Sequence, residues 1–140
     1  MNLKLEEKNI FLNLESESKE DAIVRAGKEL VKLGSVDEEY IDYMLEREKV
    51  ATTYMGLGIA IPHGVNEAKK TIKESGIVFL QYPNGVDFGD EKAYIVIGIA
   101  GKGDEHLEIL SSVAIKIDDD LVEKLKDTKD KEDFIREFGE

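Results

Sequence analysis

Two runs of continuous apolar residues constrain this chain more than any other feature. IVFLQY at 77–82 and AYIVIGIA at 93–100 have the length of strands. A strand with one wet face alternates apolar and polar positions, whereas a run without alternation belongs in a sheet covered on both faces. The covers must come from the flanking sequence, which carries helical periodicity. Ser18, with Asp21 three residues on, reads as a capping signal for a helix bearing Ala22, Ile23, Ala26, Leu30 and Leu33, and Gly34 as its stop. A second helix is expected from about Asp37, with Tyr40, Ile41, Met44 and Leu45 on one face and the charged run 46–49 at its end. Asp104 is placed to cap a third, whose expected apolar face is Leu107, Leu110, Val113, Ala114 and Ile117. Short helices are expected near 119–126 and 130–138, a short strand at 9–14 and a turn-rich connection at 83–89. The sum is an α/β fold: a single domain over residues 1–140, with a mixed central sheet of about five strands and helices on both faces.

Composition narrows the function. With 31 acidic and 19 basic residues the net charge is −12, which disfavours nucleic acid and anionic membrane surfaces as partners. It leaves room for a local basic pocket, or for a partner with a positive face. The absence of cysteine excludes disulfides, thiolate nucleophiles and cysteine zinc sites. The N-terminal segment has no signal-peptide run, and no apolar stretch has bilayer-spanning length. A cytoplasmic protein without membrane insertion is expected.

The chain has two histidines, His63 and His106, the only side chains whose ordinary titration lies near neutral pH. Each follows an apolar run, and strand ends in open α/β sheets are where ligands bind. His63 is flanked by Pro62, which cannot continue a ladder, and by Gly64, whose missing Cβ lets a phosphate or a partner's backbone come close. The ordinary alternative is a loop histidine with no task. His106 falls in the first turn of the third helix, where unsatisfied N–H groups disfavour imidazolium and welcome an anion. Its ordinary alternative is a solvent-facing residue of that turn. Arg47 offers a planar fork for phosphate oxygens; otherwise it is part of an ion-paired helix end with Glu46, Glu48 and Lys49. No G-x-S-x-G elbow, H-E-x-x-H pair or complete phosphate-binding glycine loop is present.

The segment REKVATTYMGLGIAIPHG, residues 47–64, resembles the phosphorylation-site signature of the mannitol/fructose-type enzyme IIA family of the bacterial phosphoenolpyruvate-dependent sugar phosphotransferase system. NIFL, YIDYMLEREK, IVFLQYPNGVDFG and VIGIA followed by EHLEIL extend the resemblance over nearly the whole chain, and QYPNGVDFG favours the mannitol branch. The resemblance implies a phosphoryl carrier. His63 matches the phosphorylated histidine, through Nε2. His106 matches the assisting histidine, and Arg47 an arginine that helps hold the phosphoryl group. The implied donor is the phosphocarrier protein HPr. The implied acceptor is enzyme IIB, and through it the membrane component IIC takes up a sugar or sugar alcohol. No metal or organic cofactor is needed. A nitrogen-type or fructose-type relative with a regulatory role is the alternative. Apolar residues beside the motif, Met55, Leu57 and Ile59, are candidates for a docking patch.

Overall fold

The structure, a computed structural model, describes residues 4–139; residues 1–3 and 140, which the expected single domain includes, lie outside it. Five strands, β1 (Ile10–Phe11), β2 (Tyr54–Gly56), β3 (Ile59–Ala60), β4 (Gly76–Phe88) and β5 (Glu91–Ala100), form one sheet in the order β1-β4-β5-β3-β2. β4 runs antiparallel to β5, while β1 is parallel to β4 and β3 is parallel to β5. The helices are α1 (Lys19–Lys32), α2 (Glu39–Val50), α3 (Glu105–Ala114), α4 (Leu121–Leu125) and α5 (Lys131–Phe138).

The continuous apolar runs do lie between two layers. Val78, Leu80, Tyr82 and Val96 pack with Ala22, Ile23, Ala26 and Leu30 of α1 and with Tyr40 and Met44 of α2. The alternate residues Phe79, Ile95, Ile97 and Ile99 pack with Ile109 and Val113 of α3, Leu121 and Leu125 of α4 and Phe134 of α5. The period of two is therefore present inside a run that looks unpatterned, because both of its faces are apolar. Full burial of one such side chain contributes about 1.5–3 kcal/mol.

Local details depart from expectation in instructive ways. Residues 83–89 are not a connection: β4 continues to Phe88, with its register shifted between Gln81 and Val86. Pro83, which cannot donate to a ladder, falls within that irregularity, and Gly89, at φ +80°, begins the turn into β5. The first strand is two residues long and not six, since Asn9 lies in a 3-10 turn and Asn13 takes a left-handed φ of 58°. Ser18 does cap α1, accepting from the Asp21 N–H at 3.0 Å, and Gly34 follows its end at φ +82°. α2 starts at Glu39, two residues after Asp37. Asp104 stands before α3 without a side-chain capping bond. On α3 the apolar face is rotated from the expected one: Ile109 and Val113 are buried, and Leu107 is 70% exposed.

Candidate functional site

The two histidines meet because β3 and β5 are parallel neighbours. Ile59 pairs with Ile95 and Ala60 with Val96, so both strands end at the same edge of the sheet. Three residues past Ala60 comes His63, and six past Ala100 comes His106. Their ring centroids lie 5.3 Å apart with the planes inclined by 55°.

The backbone around His63 is tied down on each side. Ile61 N–H donates to the Thr53 carbonyl at 3.0 Å, and Ile99 N–H donates to the Pro62 carbonyl at 3.0 Å. Gly64 N–H donates to the Tyr40 hydroxyl at 2.9 Å, and that hydroxyl donates to the Ile99 carbonyl at 2.7 Å. Burial pushes the Tyr40 phenol up to about 12, so it keeps the proton it donates. Gly64 proves necessary for another reason than the one the sequence suggested. A Cβ there would lie 2.7 Å from Cε1 of Tyr40 and 3.0 Å from Cβ of Ala68, so the space belongs to the core.

The ring of His63 is set by one bond. Its Nδ1 lies 2.9 Å from the Ile61 carbonyl oxygen. A carbonyl only accepts, so Nδ1 carries the proton and Nε2 carries the lone pair. Burial lowers the imidazole below its ordinary value. The Ile61 bond opposes this, the fields of His106 and Arg47 add to it, and Glu48 acts in the opposite sense. His63 is therefore a neutral imidazole with Nε2 available as a nucleophile.

His106 is the second residue of α3. A Cβ on Gly101 would lie 2.3 Å from its Cα, so the backbone of α3 rests directly on that glycine. Ser75 secures the same loop: its hydroxyl accepts from the Lys102 N–H at 2.9 Å and donates to the Glu105 carboxylate. Burial holds His106 below its ordinary value, and the charge of Lys69 adds to the effect.

Arg47 sits in the last turn of α2 and donates from Nη1 to the Ala51 carbonyl at 2.6 Å. It has no ion-pair partner among the described residues, unlike the ion-paired helix end the sequence allowed. Its charge reaches His63, and one of its five N–H groups is engaged. Arg47 and Lys69 thus act on two neutral imidazoles, with Glu48 opposing them at His63, in a chain of net charge −12. Among the described residues, no three His, Asp or Glu side chains cluster so as to hold a metal ion. Ile59 is buried, while Met55 and Leu57 are each 51% exposed.

Sequence reasoning missed Tyr40, Glu48, Thr53 and Lys69. Tyr40 was legible as a core position, but its hydroxyl faces a backbone 24 residues away. Lys69 follows the motif closely, yet no spacing rule marks a lone lysine.

This arrangement can attack an electrophile through one imidazole and stabilise negative charge with a second imidazole and an arginine. Residues 4–140 match the family described as phosphoenolpyruvate-dependent sugar phosphotransferase system, EIIA 2, and the chain belongs to it. It is 45% identical over 133 residues to the mannitol-specific phosphotransferase enzyme IIA component of Staphylococcus aureus, covering 94% of this chain and 92% of that one. It is also 45% identical over 136 residues to the mannitol-specific EIICBA component of Vibrio cholerae; there it spans about a fifth of the relative's length, 21%. Among solved structures, the complex of enzyme IIAMTL and phosphorylated enzyme IIBMTL from Escherichia coli superposes with a TM-score of 0.91 at 42% identity, covering 96% of each chain.

Proposed function

We propose that this chain, as a single domain over residues 1–140, is the phosphoryl carrier of a mannitol uptake system, with His63 as the residue that carries the group. The observation that bears the reading is the Nδ1–H bond to the Ile61 carbonyl, which leaves Nε2 with its lone pair at the sheet edge beside His106. Nε2 attacks the phosphorus of phospho-HPr in line, and the group then passes to enzyme IIB. The transition state of such a transfer is loose, with charge on the equatorial oxygens, so positioned donors do most of the work. His106 supplies an N–H, and Arg47 supplies further N–H groups from the end of α2. The likeness to mannitol-specific components supports the choice of sugar alcohol. Among the described residues, no helix is long and apolar enough to cross a membrane; a carrier between HPr and IIB works in the cytoplasm.

Exposed apolar residues adjoin each part of the site in sequence: Val50 after Arg47, Met55 and Leu57 before His63, and Leu107 after His106. They suit a face that meets two partners in turn, in small and transient contacts.

The test is transfer from phosphoenolpyruvate through enzyme I and HPr to this chain, then to a mannitol-type IIB. Label should be acid-labile, confined to the His63 peptide and absent from His63→Ala. Arg47→Ala should slow transfer by about 100-fold or more, as loss of one transition-state donor does, with Arg47→Lys intermediate. Label surviving in His63→Ala would refute the assignment. Acceptance from HPr without onward transfer to IIB would favour the regulatory alternative.

A further inference from the structure

Glu48 belongs to a charged run that the sequence suggests is solvated, and the structure buries it. Its side chain is 5% exposed. Oε1 accepts from the Thr53 N–H at 2.9 Å and from the Thr53 hydroxyl at 2.6 Å. Oε2 is buried with no hydrogen-bond partner among the described residues, and the Lys19 ammonium lies 3.9 Å from it. A half-satisfied buried carboxylate costs stability that only neighbouring charge and hydrogen bonds offset.

Its contacts lead to the acceptor ring. Thr53, held by Glu48, accepts from the Ile61 N–H through its carbonyl at 3.0 Å. The Ile61 carbonyl in turn accepts from Nδ1 of His63 at 2.9 Å. Each link fixes the next, and the last one decides which nitrogen of the imidazole has the lone pair.

On the reading of the chain as a phosphoryl carrier, we propose that Glu48 is a positioning residue for the transfer, holding Thr53 and Ile61 so that His63 stays in the Nδ1–H tautomer with Nε2 free to attack. The balance of the step shows what the carboxylate adds. The Nε2 lone pair forms the bond to phosphorus as the bond from phosphorus to the donor's histidine nitrogen breaks. That electron pair stays on the donor nitrogen. The Nδ1 proton stays on His63, so the phosphorylated ring carries positive charge. A buried carboxylate near that ring offsets the ring's charge, against the field of Arg47. In the resting protein it acts on His63 in the same sense, opposing burial.

Two variants of the full chain separate the contact from the charge. Glu48→Gln keeps an acceptor for Thr53 and removes the charge. The His63 ring, followed by nitrogen NMR, should keep its Nδ1–H tautomer and titrate lower than in the wild type, and transfer from phospho-HPr should slow severalfold. Glu48→Ala releases Thr53 as well, so both tautomers should appear and transfer should slow by up to about 100-fold. An undisturbed Nδ1–H tautomer in a folded Glu48→Ala overturns the proposal, and an unmoved midpoint in Glu48→Gln overturns the part assigned to the charge. Should Glu48→Ala not fold, Glu48→Met, which fills the same space without an acceptor for Thr53, takes its place in the ring spectra. A wild-type chain that takes no phosphoryl from phospho-HPr would overturn the carrier reading instead, and the ring spectra would still decide the hold of Glu48 on the tautomer.

Discussion

His63 and His106 stand side by side and are held in opposite ways. The ring of His63 is bonded to the Ile61 carbonyl, and the residues on either side of it are bonded to Ile99 and Tyr40. The ring of His106 makes no hydrogen bond among the described residues; contact of its backbone with Gly101 places it, with the Ser75 clip alongside. The difference matches the parts proposed for the two rings. A nucleophile must present one lone pair, so its tautomer has to be set in advance. A helper presents an N–H to a developing charge, and an unclamped ring can turn or exchange its proton to do so.

The contrast is most severely tested at Gly101. A methyl group there meets backbone, which cannot yield as the tip of a side chain does. Gly101→Ala should displace the first turn of α3, slow phosphoryl transfer by about 100-fold and lower stability by about 1–3 kcal/mol. A transfer assay and denaturant unfolding measure the two effects. Label should remain on His63. Unchanged transfer would mean that His106 is placed by something other than this contact.

Tyr40→Phe probes the other side with a smaller effect. The Gly64 N–H and the Ile99 carbonyl each lose a partner in a buried place, which costs about 1–3 kcal/mol. Transfer should fall less than in Gly101→Ala, because the Ile61 bond still sets the tautomer. A loss of transfer without a loss of stability would move Tyr40 from support to chemistry.

The smallest expected effect is in pH. Burial lowers both imidazoles from the ordinary value of 6.5. Above pH 6.5 the rings are neutral whether the chain is folded or not, and the stability they permit is fully present. As the pH falls below 6.5 and through the lowered folded values, the unfolded chain binds more protons and that stability is lost. Phosphoryl acceptance should be flat across neutral pH and decline only below the range of free imidazole. NMR titration of the two rings checks this, and a His63 midpoint at or above 6.5 would contradict the dominance of burial.

Much of this was legible beforehand. Continuous apolar runs imply a sheet between two layers, because no other setting hides both faces of a strand. Helical periodicity marks α1 and α2, because a helix buries a stripe. GIAIPHG marks His63, because the proline and the glycine that shape its backbone are its immediate neighbours. Leu107 shows the limit of periodicity. It has the right spacing for the stripe expected through Leu110 and Ala114, but the helix buries the stripe of Ile109 and Val113, which leaves Leu107 on the far side. The extension of β4 through residues 83–88 shows another limit, since a Pro-Asn-Gly segment becomes strand when β5 pairs beyond a shifted register.

What the sequence by itself determined was the set of candidates: two histidines and an arginine, with a proline and a glycine shaping the backbone beside one of them. Only the tertiary structure decided how they act together. The parallel pairing of β3 with β5 brings residues 63 and 106 to one edge. The Tyr40 hydroxyl, the Ile61 carbonyl and the buried Glu48 reach the site from other parts of the chain or through backbone groups. Every residue but proline carries the same N–H and C=O, so a ring bonded to a carbonyl leaves no mark in the sequence. Burial, which lowers both histidines, belongs to the packed chain, because it depends on what surrounds a ring in space rather than on what adjoins it in order.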